Sequence, residues 1–105
     1  MNYDIAFFKP KRFEECLKYI EYIKAQKYVH INLSDVNDSV KRRILDFLNG
    51  ALFIQEGQIL YLGENTICTI PKTGKYFLEY ENVELKKEFD AYDEEEEIVP
   101  MFSKK

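Results

Sequence analysis

The side chains that could carry out catalysis are few in this chain, and they do not form a set. There is a single histidine, His30, which lies between Val29 and Ile31 in an apolar stretch. A general base needs a second group that positions it, and the sequence supplies no Ser/His/Asp or Cys/His arrangement without this one residue. We therefore interpret His30 as a residue on a sheet face or at a contact between copies, and we favour this over a catalytic role.

The other residue types that often carry chemistry are scattered. Cys16 and Cys68 are far apart and belong to no C-x-x-C pair, so the sequence offers neither a redox pair nor a zinc site. We expect both thiols to be reduced and buried. The four glycines form no phosphate-binding loop. The sequence therefore predicts a protein that is not an enzyme and that binds no metal or cofactor.

One cluster of three consecutive basic residues stands out in the sequence, and it consists of Lys41-Arg42-Arg43. Successive residues of a helix are turned by about 100°, so these three side chains spread around the axis and do not form one stripe. They are either a solvated helix face or a docking point for an acidic peptide. Residues 1–75 contain 11 basic and 9 acidic residues, and this near balance argues against a nucleic-acid partner, which requires a basic face.

Length and composition indicate one small folded domain. The chain has 105 residues, of which 46% are hydrophobic and 15% aromatic, and this is enough apolar material for a core. No stretch approaches the roughly 20 apolar residues of a membrane span, and the first eight residues lack the features of a secretion signal. We therefore expect a cytoplasmic protein. Because so small a domain buries a modest share of its surface, we also expect a homodimer.

The hydrophobic pattern predicts which elements position these residues. Apolar side chains alternate in some stretches, as in strands, and recur every three to four residues in others, as in helices. Asp and Asn residues just before the second helix predict its N-cap, and Gly50 is predicted to end that helix in the left-handed conformation. The predicted strands cover residues 3–8, 28–33, 51–55, 58–62 and 66–70, and the predicted helices cover residues 13–23 and 40–49.

The resulting order, β-α-β-α-β-β-β, indicates an α/β protein built as a two-layer α+β sandwich. We expect a mixed sheet with two helices on one face. The opposite sheet face would be bare, and we expect a second copy to cover it. Residues 1–75 are predicted as the core domain and residues 76–105 as an acidic extension, partly helical or disordered. Around and within this extension, residues 75–80 are predicted as a further strand and residues 82–92 as a short helix.

The middle of the chain resembles the SepF family. Asn32-Leu33 matches the N-L with which a strand ends in that family. The stretch that follows is similar to the family's K-R-hydrophobic-hydrophobic-D-F-L-x-G block, and it reads Lys41-Arg42-Arg43-Ile44-Leu45-Asp46-Phe47-Leu48-Asn49-Gly50. Pro10, Phe13, Gly57, Gly63 and the stretch from Ile67 to Pro71 also match, so that the resemblance covers about residues 4 to 72.

The resemblance implies a cell-division adaptor. Such a protein binds the C-terminal tail of FtsZ and self-associates, so that it bundles or organises FtsZ filaments at the division septum. The basic side chains would meet acidic residues of the tail, and the apolar ones would line a groove or the core beneath it. The residues implied for tail binding are Lys41, Arg42, Phe47, Leu48 and Ile67, and those for a dimer or assembly contact are Gly50 and His30.

The chain departs from the family pattern at both ends. Bacterial SepF proteins begin with a membrane-binding amphipathic helix and a linker, whereas the domain here starts almost at Met1. We therefore expect membrane contact only indirectly, or through a segment outside this sequence. Residues 97–105 (EIVPMFSKK) resemble the FtsZ tail itself. One hypothesis is that they occupy the groove for that tail, and the alternative is a solubilising extension.

Two classes of function remain open at this point. The leading hypothesis is the FtsZ-binding adaptor, and the alternative is a self-assembling SepF-like domain that has lost FtsZ binding and serves another protein. The balanced charge of the core argues against an RNA-binding domain, and the missing catalytic set argues against an enzyme.

Overall fold

The computed structural model describes residues 1–81, which form one mixed sheet with helices on one side. The strands are ordered β1-β2-β4-β3, with β1 and β2 parallel and the remaining pairs antiparallel. The predicted α/β class, with two helical segments packed on a mixed sheet, is confirmed. In chain order the elements are β1 (Ile5–Phe8), a 3-10 helix (Phe13–Lys18), α1 (Tyr19–Lys24), β2 (Tyr28–Asn32), α2 (Asp38–Gln55), β3 (Gln58–Tyr61) and β4 (Thr66–Ile70).

The first helical segment connects the two parallel strands and buries one stripe of side chains. Cys16, Tyr19 and Ile23 are spaced by three and four residues, so they lie on one side of the segment, and each is at most 2% exposed. They pack against Val29 and Ile31, which alternate toward the same side of β2. The predicted helical spacing therefore holds, although the first six residues form a 3-10 helix.

The second helix is longer than the sequence predicted. Its N-cap is Asn37, whose side chain accepts a hydrogen bond of 2.9 Å from the Val40 N–H. The prediction that Gly50 ends the helix, and that residues 51–55 form a strand, was wrong. Leu52 is 3% exposed and continues the buried stripe of α2, so tertiary burial holds the chain helical beyond the glycine.

The helix ends instead at Glu56, which adopts the left-handed conformation with φ of 62°. The N–H groups of Glu56 and Gly57 donate to the carbonyls of Phe53 and Leu52, at 3.3 and 2.9 Å. The left-handed residue that ends α2 is thus Glu56, six positions after the predicted Gly50. As a consequence the described sheet has four strands, because β3 is the first strand after α2.

The two faces of the sheet differ in what covers them. On the first face, side chains of β2, β3 and β4 join the helices in the main core, which includes Ile44, Leu48 and Ile67, each fully buried. The second face carries no Asp, Glu, Lys or Arg on any of the four strands. The strand residues on that face are Ile5, Phe7, Tyr28, His30, Asn32, Gln58, Leu60, Thr66, Cys68 and Ile70.

Half of this second face is covered by the chain itself. Residues 71–81, which we call the strap, leave the end of β4 and cross back over the sheet. Leu78 of the strap packs on Leu60, Cys68 and Ile70, which are at most 8% exposed. The expectation that the whole face is bare was therefore wrong. So was the strand predicted at residues 75–80, because the strap has no regular secondary structure.

Several sequence predictions fall outside the part of the chain that is described. These are the helix over residues 82–92 and the likeness of residues 97–105 to the FtsZ tail. The domain boundary at residue 75 also stays a prediction. Within residues 1–81, no helix combines the length and the apolar character that crossing a membrane requires.

Candidate functional site

The basic cluster at the start of α2 spreads around the helix as its spacing predicted. Lys41 Nζ donates to Asn65 Oδ1 at 2.9 Å and so ties α2 to the turn between β3 and β4. The guanidinium of Arg43 lies 4.0 Å from the centre of the Phe13 ring, on the side of α2 that faces the 3-10 helix. Arg42 is half-buried between these directions. The three basic side chains therefore lie in three different environments.

The apolar residues implied for tail binding do not share one surface either. Leu48 and Ile67 are fully buried in the main core, so they present no surface to a peptide in this conformation. Phe47 is half-buried and meets Phe13 edge-on, with 5.7 Å between ring centres. This places Phe47 on the same side of α2 as Arg43.

A groove lies on the other flank of α2, along β3, which is one of the two edge strands of the described sheet. Its volume is about 340 Å³, and its helix wall is formed by Asn49, Leu52 and Phe53. Arg42 is seven residues before Asn49 and eleven before Phe53, so it lies on the same flank of the helix. The facing wall consists of Gly57, Gln58, Ile59 and Tyr61.

The helix beside this groove ends in two exposed apolar side chains, of which Phe53 lines the groove. Phe53 and Ile54 are 82% and 75% exposed at the end of α2. Sequence reasoning missed this groove because residues 51–55 were assigned to a strand. The signal was present, since Leu52 follows Leu45 and Leu48 by seven and four residues and so extends the apolar face of a helix.

Two glycines at this end of the molecule have opposite surroundings. A Cβ at Gly50 would meet nothing within 4 Å, so the outer face of α2 is open there. A Cβ at Gly57 would come within 2.8 Å of both the Ile70 carbonyl oxygen and Leu52 Cδ2. Gly57 thus lets the start of β3 approach α2 closely at the end of the groove.

His30 lies on the second sheet face, away from this groove. It is half-buried, and its ring centre is 4.9 Å from that of Phe7, which is 67% exposed on β1. Burial lowers the pKa of His30, because an imidazolium loses hydration there. The structure therefore separates His30 from Gly50, and the two predicted contact residues mark two different surfaces.

The thiols lie in apolar surroundings that oppose their ionisation. Burial is the main cause that raises the pKa of Cys16 to about 11, and burial raises the pKa of Cys68 to about 11 as well. Both cysteines are unpaired in the described structure and buried, as the sequence predicted. Thiols of this kind are held as the unreactive protonated form at neutral pH.

A model of one protein family matches the part of the chain that forms this fold. The matching family is described as cell division protein SepF, and the match extends over residues 5–75, well over half of the chain. The chain belongs to the SepF family. This family is described as one of cell division proteins.

Individual SepF proteins support this assignment. The chain is 33% identical over 72 residues to the cell division protein SepF of Lactiplantibacillus plantarum, covering 69% of this chain and 51% of that one. It is 34% identical over 67 residues to SepF of Alkaliphilus metalliredigens, covering 64% and 45%. For SepF of Caldanaerobacter subterraneus the identity is 35% over 64 residues, covering 61% and 48%. The chain thus spans about half the length of the SepF proteins it matches.

Proposed function

We propose that this chain is a non-enzymatic adaptor that binds the C-terminal tail of FtsZ and self-associates, so that it organises FtsZ filaments at the division site in the cytoplasm. Its SepF membership supports the setting. The observation that carries the binding role is the open groove between α2 and β3, with the exposed ring of Phe53 in its helix wall. A groove of this kind suits a short peptide with a few apolar anchors.

The groove offers each kind of contact that such a peptide needs. Leu52 and Ile59 provide apolar contacts, and Phe53 adds a large exposed ring. Asn49 can exchange hydrogen bonds with a peptide backbone. Arg42, on the same helix flank, supplies the positive charge for an acidic residue of the tail.

The other residues implied by the family resemblance receive different roles in this proposal. Lys41 fixes the start of α2 through its bond to Asn65, and Phe47 holds the opposite flank of the helix against Phe13. Leu48 and Ile67 support the helix from the core. They act on tail binding through the position of α2, whereas Arg42 touches the tail directly.

Self-association completes the proposed function. The outer face of α2 near its end combines the open position at Gly50 with exposed Phe53 and Ile54, so a second copy can approach closely there. The second sheet face, where His30 lies, is the other candidate surface. Repeated copies along a filament give avidity, so that each single contact with an FtsZ tail can be weak.

A second candidate function is a self-assembling structural domain that serves another protein partner. It is favoured by the exposed apolar residues on both surfaces, because these account for assembly without any peptide. Membrane contact, in either case, is proposed to be indirect or to come from a segment outside this sequence.

Titration calorimetry with a synthetic peptide of the FtsZ C-terminus tests the binding proposal. We expect Phe53→Asp and Arg42→Glu to weaken binding by at least about tenfold, which is roughly 1.4 kcal/mol. The matched control is Lys24→Glu, an exposed charge reversal at the end of α1, which should leave binding unchanged. Phe53 is largely exposed, so its substitution should leave the circular dichroism spectrum intact.

Two results would count against FtsZ binding at this groove. Absence of any heat of binding with the unaltered chain would leave the self-assembling alternative as the function. Binding that is unaffected by both groove substitutions would place the FtsZ site elsewhere on the molecule.

A further inference from the structure

The described part of the chain ends beside the groove between α2 and β3. Tyr61 lines this groove, and its backbone N–H donates to Glu81 Oε2 at 3.0 Å. Because β3 is an edge strand, this bond places the Glu81 carboxylate at an open edge of the described sheet. Glu81 is the last residue that the structure describes. Residues 82–105 therefore start next to the groove.

The strap holds this end point in place. The Tyr28 hydroxyl donates to the carbonyl of Lys75, and Gln58 Nε2 donates to the Tyr76 hydroxyl at 3.2 Å. Leu78 then packs on the smaller buried cluster, which belongs to β3 and β4. These contacts lead the strap from β2 across to β3, the strand that forms one wall of the groove.

The sequence after Glu81 contains a stretch whose chemistry is complementary to the groove. Residues 93–97 (DEEEE) are five consecutive acids, and residues 98–102 (IVPMF) have four apolar side chains around one proline. The helix flank at the groove has the cation Arg42, followed by the apolar Leu52 and Phe53. An acid beside Arg42 and apolar side chains beside Leu52 and Phe53 would satisfy both parts of this flank.

The stretch and the groove also agree in length. Arg42 and Phe53 are eleven residues apart in α2, and a rise of about 1.5 Å per residue separates them by roughly 16 Å along the axis. An extended chain advances about 3.3 Å per residue, so five residues cover the same distance. Glu97 and Phe102 are five residues apart. An extended segment can therefore set Glu97 beside Arg42 and Phe102 beside Phe53.

We propose that residues 97–102, which we call the tail segment, occupy the groove between α2 and β3 of their own chain when no FtsZ tail is bound there. This rests on the role of the groove in the proposed function and adds an internal competitor to it. Residues 82–96 connect the tail segment to Glu81, which Tyr61 holds at the groove. Fifteen residues can extend over about 50 Å, so this connection reaches the whole groove without strain.

The short connection favours the tail segment of the same chain over that of a second copy. A segment on a short linker meets its own site at an effective concentration in the millimolar range. A single FtsZ tail must displace it and therefore binds less tightly than the empty groove would allow. A filament presents many FtsZ tails at once, and their avidity overcomes the competitor. The tail segment thereby makes the adaptor respond to filaments in preference to free FtsZ.

Disulfide trapping in the full chain tests where the tail segment lies. Asn49→Cys places a thiol in the helix wall of the groove, at a position that is exposed. Met101→Cys places a second thiol in the tail segment and leaves both of its end residues unchanged. The native thiols of Cys16 and Cys68 are buried, so they do not compete for the new ones.

The matched control combines Asn49→Cys with Ala91→Cys. Ala91 is ten residues after Glu81, whereas Met101 is twenty residues after it. A tether without a preferred contact would bring the nearer position to the groove at least as often, because the shorter loop costs less entropy. We expect the opposite under a mild oxidant, with the bond to position 101 forming at least about tenfold faster than the bond to position 91. Mass spectrometry of the monomer band shows that the bond lies within one chain.

Titration calorimetry with the FtsZ C-terminal peptide measures the competition. Phe102→Asp removes the largest apolar side chain of the tail segment, and Phe89→Asp is the matched control, since it makes the same change outside that segment. We expect Phe102→Asp to bind the peptide at least about tenfold more tightly than the unaltered chain. Phe89→Asp should bind it as tightly as the unaltered chain does.

Three outcomes would overturn the proposal. Bonds that form equally fast at positions 91 and 101 would show that the tail segment does not prefer the groove. Bonds that form only between two chains would assign the groove to the tail segment of a second copy. An equal, measurable affinity of Phe102→Asp and the unaltered chain for the peptide would show that the tail segment does not compete with FtsZ.

Failure of this proposal can be told apart from failure of the proposed function. The trapping experiment contains no FtsZ peptide, so its result decides the position of the tail segment whether or not FtsZ binds. Absence of heat with both the unaltered chain and Phe102→Asp would count against FtsZ binding itself, because the competitor is removed in the variant.

Discussion

Replacing Gly50 by alanine should stabilise the isolated chain, although the sequence pattern marked this glycine as a helix terminator. Gly50 lies inside α2, five residues before its last residue, Gln55, and its φ is not in the left-handed region. The added Cβ would meet nothing within 4 Å. The substitution therefore changes helix propensity and leaves the packing of the monomer as it is.

The expected gain follows from that propensity. Alanine is favoured over glycine in a helix interior by about 1 kcal/mol, because the glycine backbone loses more conformational entropy on folding. For a domain of this size, a gain of 1 kcal/mol raises the melting temperature by roughly 4–8 °C. We expect this rise in thermal unfolding followed by circular dichroism at low micromolar concentration, where self-association is minimal.

The matched control is Gly63→Ala. A Cβ at Gly63 also has room, since its nearest neighbour is Thr66 Oγ1 at 3.6 Å, but this glycine lies in the turn between β3 and β4. Its replacement removes the same excess entropy from the unfolded chain but gains no helix propensity, so its melting temperature should rise less than that of Gly50→Ala. The difference between the two variants isolates the helical contribution.

The same substitution tests the proposed contact between copies at the end of α2. If copies approach closely at Gly50, the added methyl group weakens self-association in sedimentation equilibrium while it stabilises the monomer. A lower melting temperature of Gly50→Ala at low concentration would refute the reasoning, because it would show that α2 does not continue as a regular helix through this position.

Three further predictions concern the N-cap, the groove and the second sheet face. Asn37→Ala should lower the free energy of unfolding in urea by about 1 kcal/mol, because it removes the N-cap hydrogen bond of α2. An unchanged free energy of unfolding would show that Asn37 does not cap the helix. Gly57→Ala should lower the same free energy by about 1–3 kcal/mol, because its Cβ would overlap Leu52 and Ile70, and an unchanged midpoint would contradict this close packing. In the folded chain the pKa of His30 lies below its ordinary value of 6.5, because burial disfavours the imidazolium. As pH falls below about 6.5, the unfolded chain therefore binds a proton at His30 more readily than the folded chain does, and the folded chain loses stability. Urea unfolding between pH 5 and 8 should show that His30→Gln reduces this acid destabilisation, and an identical pH profile would rule out His30 as its source.

The fold class was predictable because its signals are local and repeated. Alternation at Val29 and Ile31, and helical spacing at Cys16, Tyr19 and Ile23, each survive in the structure as buried stripes. The candidate site was predictable only in part. The resemblance to SepF pointed to α2. The flank of α2 that forms the groove depends on Leu52 and Phe53, and the sequence pattern placed these two residues in a strand.

What the sequence determined by itself is the layered α/β class and the resemblance to SepF, which the family match then confirmed. Tertiary structure alone decided where α2 ends and what covers the second sheet face. Gly50 is a local stop signal, and the burial of Leu52 in the main core outweighs it. The position of the strap likewise depends on contacts between residues such as Tyr28 and Lys75, which are 47 positions apart and share no sequence pattern.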